Sequence, residues 1–163
     1  MAVDMFLKIG DIKGESTDAK HPDEIQIESF SFGQAGDVNA DSGQRTGKVA
    51  LQDYNFVMPI SAASPRLMTY CADGRHIQGF SPQDALLTCR KPGANPVEFL
   101  KIKFYDVMIS SFQAGAAQAD IVPTDQFSLW FGKIELAYIR QNPDGSLQLP
   151  VYFRWDRSKG ESF

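Results

Sequence analysis

His21-Pro22-Asp23-Glu24 places an imidazole and two carboxylates within four residues, the donor types that a divalent metal ion takes. The only other histidine is His76, and neither stands at a ligand spacing such as HxxxH. A solvated turn ahead of a strand is the expected state of this segment. Gly43-Gln44-Arg45-Thr46-Gly47-Lys48-Val49 has the outline of a phosphate-binding loop, but Ser42 stands where the first glycine belongs and Val49 replaces the hydroxyl residue after the lysine. A strand follows it rather than a helix, so nucleotide binding is not expected. Cys71 and Cys89 could pair, yet one lies on an apolar helix face and the other in a strand, where buried free thiols are the ordinary reading. There is no GxSxG, no HExxH, no paired-cysteine zinc spacing and no GxGxxG after a strand. The 20 carboxylates are spread over turns and strand faces, where solvation or cross-strand Lys and Arg partners account for them. No catalytic residue, metal or cofactor is therefore assigned. A site assembled from distant residues is the enzyme reading that remains.

The elements that would position any site are strands. Val97 to Phe112 reads as one long strand whose apolar parity flips at Asp106: Leu100, Ile102 and Phe104 share one face, then Tyr105, Val107 and Ile109 carry it. The same change recurs between Phe127, Leu129, Phe131 and Ile134, Leu136, Tyr138, with Gly132 at the break. It recurs again between Ile25, Ile27 and Phe30, Phe32, and between Val49, Leu51 and Tyr54, Phe56. Four bulges in a twisted barrel would explain it. The reading preferred here is that one half of each strand faces the core while the other offers apolar surface to a neighbour, with Ile109 and Leu136 as packing residues between subunits.

Around these runs the chain is polar and turn-rich. Val3 to Ile9 alternates cleanly, and Gly10 to Pro22 is a polar loop. Ser29-Phe30-Ser31-Phe32 sets hydroxyls on one face and rings on the other. Gly33 to Gly47 has almost no apolar content and is too long for a hairpin turn, so it is expected as a solvent-facing contact arm. One short helix is expected, with Ser64 as N-cap, Pro65 at its first position, Leu67, Met68 and Cys71 on one face and Gly74 as its stop. Ile77 to Arg90 is a polar strand, irregular in its first half around Gly79 and Pro82. Asn142-Pro143-Asp144-Gly145 turns the last hairpin into Leu147, Leu149, Val151, Phe153 and Trp155. The fold class is mostly β: a β-barrel of two packed antiparallel sheets with one short flanking α-helix, in a single domain over 1–163.

Composition narrows the functional classes. With 163 residues, 43% of them hydrophobic, one ordinary core is available. The net charge of -4 argues against nucleic acid, and no run approaches the roughly 18 apolar residues of a membrane span. The first residues lack a cationic start followed by an apolar stretch, so synthesis in the cytoplasm without Sec export is expected.

Met1 to Ile9 with Gly10-Asp11-Ile12-Lys13-Gly14-Glu15-Ser16 resembles the start of the Hcp family, the haemolysin-coregulated tube proteins of bacterial type VI secretion. Ser29 to Gly33, Gly47-Lys48-Val49, Ser64 to Met68 and Phe127 to Ile134 extend the resemblance over nearly the whole chain, in order and at near-contiguous spacing. The resemblance implies a β-barrel of two sheets with a flanking helix, assembled head to tail into homohexameric rings. Such rings stack into an inner tube inside a sheath, behind a spike, are secreted, and carry small effectors in their lumen as chaperones. It implies no cofactor. Carried onto this chain, it sets Ser31 and Ser29 on the lumen wall, with Ser31 as the cargo contact. Asp37, Asn39 and Arg45 become polar contacts to the next ring. The chain stops soon after its last strand, so no fused toxin domain is expected. A lipocalin-like barrel binding a small molecule is the alternative, and it would need a large apolar cavity with an open mouth.

Overall fold

Asp106 is a corner, and the long central run is two strands in two different sheets. The computed structural model describes residues 3–163 apart from 46, 48, 80, 81, 94 and 120. In chain order its elements are β1 (Asp4–Ile9), β2 (Ile25–Gln26), β3 (Ser29–Ser31), β4 (Gln34–Ala35), β5 (Ala50–Leu51), β6 (Tyr54–Pro59), α1 (Ala63–Asp73), β7 (Ala85–Lys91), β8 (Val97–Tyr105), β9 (Met108–Gly115), β10 (Thr124–Trp130), β11 (Lys133–Tyr138) and β12 (Val151–Asp156). One antiparallel sheet runs β12-β11-β8-β7-β1-β2 and a second runs β3-β6-β10-β9, while β4 and β5 form a separate ribbon. The expected two packed antiparallel sheets and single helix are present, as two open sheets rather than one closed barrel.

Every parity change falls where the chain leaves one sheet for another. The β8 to β9 and β10 to β11 connections each cross between the large sheets, β2 to β3 does the same, and β5 to β6 leaves the ribbon. Each strand therefore buries one face, and the halves on either side of a change both face the shared core. Asp106 takes a left-handed φ of 55° to make its corner, and its N–H is held by Asp84 Oδ2 at 2.9 Å. The other corner lies directly against it. A Cβ at Gly132 would come within 3.1 Å of Asp106 Cβ, so the two crossings pack as closely as they do only because residue 132 has no side chain. A bulge is present as well, at Ser110 in β9, where the register with β10 shifts.

The core between the sheets is aromatic. Tyr54, Phe56, Phe104, Phe127 and Phe131 are fully buried, and Tyr54 meets Phe104 edge-on at 4.9 Å while stacking on Phe32 at 4.4 Å. Cys89 is buried here and Cys71 is half-buried, both as free thiols, and burial pushes the Cys89 thiol up to about 11, which leaves it unreactive near neutrality.

The helix starts earlier than its sequence signals. The N-cap position is Ala62, not Ser64, and carries no side-chain cap; just ahead of it Ser61 Oγ accepts from the Ala63 N–H at 3.2 Å, and Ser64 Oγ accepts from the Ser61 N–H at 3.1 Å. Gly74 ends it in the left-handed region at φ 65° with its N–H on the Tyr70 carbonyl, as expected. Ala63 and Leu67 are buried, Tyr70 and Cys71 pack against the core, and Met68, expected on that face, is exposed. The Ser64 hydroxyl instead donates to Asp125, a fully buried carboxylate of β10 whose other oxygen has no partner among the described residues. Ser64→Ala should therefore cost about 2–3 kcal/mol in urea unfolding, because it strands Asp125, whereas loss of an ordinary exposed hydroxyl would cost a few tenths.

His21 is not in a solvated turn. It is 7% exposed and stacked on Phe6 with ring centroids 4.6 Å apart, because one ring nitrogen finds Glu24 of its own segment and the other finds Glu98, which local spacing could not reveal. Among the described residues no three His, Cys, Asp or Glu are grouped to hold a metal. Among the same residues no helix is long and apolar enough to cross a membrane.

Candidate functional site

The outer face of the four-stranded sheet collects the serines singled out by sequence. In β3 the side chains of Ser29 and Ser31 point outward while Phe30 packs inward, the period-two consequence of a strand lying on a core. β6 repeats this with Asn55 and Val57 outward between buried Tyr54, Phe56 and Met58. The register then aligns two cross-strand rows. Ser29, Val57, Gln126 and Gln113 form one, and Ser31, Asn55, Ser128 and Ser111 form the other. All of them except the buried Ser128 line a concavity of about 410 Å³.

No member of either row is charged. The hydroxyl of Ser128 bonds to those of Ser111 and Ser110, and Ser110 Oγ also donates to Asp53 Oδ2 at 2.6 Å, which stitches the bulged end of the sheet together. Among the described residues the side chains of Ser29, Ser31, Gln113 and Gln126 make no hydrogen bond, so their donors and acceptors face solvent ready for a ligand. Such a face can hydrogen-bond amides and hydroxyls without selecting for charge. Sequence reasoning found Ser29 and Ser31 but missed Asn55, Gln126, Gln113 and Ser111, because only the register says which residues of four separated segments lie side by side.

The arm expected from Gly33 to Gly47 is a ribbon. Gln34 pairs with Leu51 and Ala35 with Ala50, and a bridge joins Val38 to Arg45. Asp37, Asn39 and Arg45 are all exposed on it. Asn39 is occupied internally, since its Oδ1 accepts from the N–H groups of Asp41 and Ser42 at 2.9 and 3.1 Å to close the tip. Arg45 Nε donates to the Gly47 carbonyl at 2.8 Å and lines a separate concavity with Trp155 and Arg157. The structure therefore places the arm residues apart from the serine face.

Ile109 and Leu136 both face inward. Ile109 is 3% exposed within the core cluster, and Leu136 is half-buried and packs against that cluster. The role between subunits expected for Ile109 is corrected by this burial: its parity differs from that of Phe104 because it belongs to the other sheet, not because it points outward. Apart from Val38 on the arm, Met68 on the helix, Val3 and Phe163, the large exposed apolar residues among those described lie at the two edges of the six-stranded sheet. Tyr138, Leu149, Val151 and Tyr152 cluster at β11 and β12, with Leu149 88% and Val151 69% exposed. Beside β2 at the opposite edge are Ile60 and Val122, around a concavity that includes Ile25, with Ile121 next to them 99% exposed. The clean alternation of Leu147 to Trp155 hid this, because an edge strand can expose its apolar residues where a central one cannot.

Comparison with known proteins places this geometry. Residues 6–138 match the family described as type VI secretion system effector, Hcp. The chain is 39% identical over 160 residues, 96% of each chain, to protein hcp1 of Pseudomonas aeruginosa. The crystal structure of Hcp1 from Salmonella typhimurium superposes with a TM-score of 0.77 at 30% identity, covering 100% of both chains. A structure described as a type six secretion system protein superposes with a TM-score of 0.88 at 22% identity, covering 99% and 100%, and speaks to the fold alone.

Proposed function

We propose, from the premise that this chain belongs to the Hcp family and is a type VI secretion tube protein, that six copies join head to tail into a ring whose lumen is walled by the serine and amide face. Rings of this kind stack through the Asp37 to Arg45 arm, engage the sheath and spike of the secretion machinery, and leave the cell with small effectors held in the lumen. The chain has a structural role in this reading and no catalytic one.

The observation that carries the proposal is the four-stranded sheet itself. Among the described residues its terminal strands β3 and β9 have no further strand beside them, although α1 packs against β9, so main-chain groups left open on these edges can be met by the opposite edge of another copy, and a head-to-tail contact of this type closes into a ring. Two residues separate β2 from β3, so these edges share one flank of the subunit and the β9 and β12 edges lie on the other. The apolar residues at β12 and those beside β2 are thus on opposite flanks, as a heterologous contact requires. A lipocalin-like reading is disfavoured by the filled interior, since the space between the sheets is occupied by Tyr54, Phe56, Phe104, Phe127 and Phe131.

The test is the native mass of the purified chain, expected near six times 18.1 kDa, together with Ser31→Gln. That substitution lengthens a side chain in the outward row, so it should leave the mass unchanged and lower the yield of small proteins retained from cells several-fold. A monomer at high concentration would refute the ring. Unchanged retention with an intact ring would refute the lumen assignment of Ser31 alone.

A further inference from the structure

The loop of residues 10–24 begins with Ile12 buried in the core, and beyond it two sets of charged side-chain contacts fasten it to the six-stranded sheet. At the first, Arg90 of β7 donates from both terminal nitrogens to Asp18, at 3.0 and 2.7 Å, and from Nη2 to Asp4 of β1 at 3.3 Å. At the second, His21 Nδ1 lies 2.8 Å from Glu24 Oε2 and Nε2 lies 2.7 Å from Glu98 Oε1 on β8. Phe6 links the two, with the His21 ring parallel to it at 8° and the Arg90 guanidinium 5.0 Å from its centroid.

A neutral imidazole has one N–H. Its second nitrogen would turn a lone pair toward a carboxylate oxygen at hydrogen-bond distance, which is repulsive, so only the imidazolium can donate to both partners. We propose that His21 is a proton-held latch: protonated, it pins the end of the loop that runs from His21 to Glu24 over Phe6 and β8, and on losing its proton it releases that end while Arg90 still holds Asp18.

The charges around His21 favour this behaviour. Glu24 faces it from its own loop and Glu98 from β8, with Lys101 Nζ 3.1 Å from the second oxygen of Glu98. Across Phe6 stand Arg90, Asp18 and Asp4. With His21 charged, three cations meet four carboxylates. Without its proton, two cations remain, and the excess negative charge lies in a half-buried site that disfavours it. Burial opposes ionisation of Glu98, but hydrogen bonds from His21 and Lys101 outweigh it and hold Glu98 below the usual carboxylate range. The sign follows from linkage. A contact that needs the imidazolium is present at low pH and is lost once the proton leaves, whereas the contribution of Glu98, whose carboxyl is held below the usual range, is lost as pH falls. The latch is closed between these two limits.

The reporters are backbone amides that close with the loop: Gly14 N–H on the Asp23 carbonyl at 2.8 Å, Ser16 on Glu24 at 3.1 Å, Asp23 on Ser16 at 2.9 Å and His21 on Asp18 at 3.3 Å. Hydrogen exchange of the assembled protein, read by mass spectrometry on peptides covering 10–24 and corrected for intrinsic base catalysis, should show loop protection falling at least about tenfold as pH rises from about 5 to 8, while peptides from β8 do not change. His21→Gln should make loop exchange fast and flat with pH. Glu98→Gln, which keeps an acceptor but removes a charge, should move the loss of protection to lower pH. Loop protection that is flat with pH in the unmodified protein overturns the latch, and so does pH dependence that survives in His21→Gln.

Discussion

Ile109→Asp is expected to abolish cooperative folding of the subunit. Ile109 lies opposite Leu129 in the second sheet and is closed off from solvent by the aromatic core. Removing a buried isoleucine side chain costs about 2–5 kcal/mol, and a carboxylate without a partner in that position adds several more. The sum reaches the total stability of about 5–15 kcal/mol that a domain of this kind possesses. Circular dichroism and urea unfolding should find no native transition for this variant. A folded single subunit would instead mean that Ile109 supports assembly and that the core tolerates its loss.

Val151→Asp is expected to do the reverse, leaving the fold and breaking the proposed ring. Val151 lies on edge strand β12, where its side chain is open to water in the single subunit, so the substitution should change the urea midpoint by no more than about 0.5 kcal/mol of stability. In a head-to-tail ring the same residue meets a different patch of the next copy, and six carboxylates would have to be desolvated at once. Native mass should fall from six copies to one. Ile121→Asp, on the opposite flank, should give the same result by itself, since every contact of the proposed ring uses both patches. A hexamer that survives both changes would remove the β12 and β2 edges from the interface.

The two predictions separate because the parity changes had two structural explanations with opposite consequences. Read from sequence, an apolar run on an unexpected face suggests surface for a neighbour. In the structure, Asp106 and Gly132 are the corners at which the chain passes between sheets, and both halves turn to a common core. Period-two reasoning identified the break points at Asp106 and Gly132, and it identified Ser29 and Ser31 as outward-facing hydroxyls. It could not say where the next strand goes. His21 was misread for a related reason: the nearby Asp23 and Glu24 suggested a solvated turn, but the carboxylate that fixes its other nitrogen, Glu98, is 77 residues away.

Sequence alone determined the elements whose signals are local: the alternation of the strands, the left-handed stop of the helix at Gly74, the polar arm and the family to which the residues between Met1 and Ile134 point. Those signals are carried by bonds and contacts between near neighbours, so they survive without knowledge of the fold. Tertiary structure decided the rest. Only the pairing of β3, β6, β10 and β9 sets Ser31, Asn55, Ser128 and Ser111 in one row, and only the order of the strands leaves Val151 at an edge and Ile109 inside. Exposure depends on what lies above a residue and at its side, and in a sheet protein those neighbours come from distant parts of the chain.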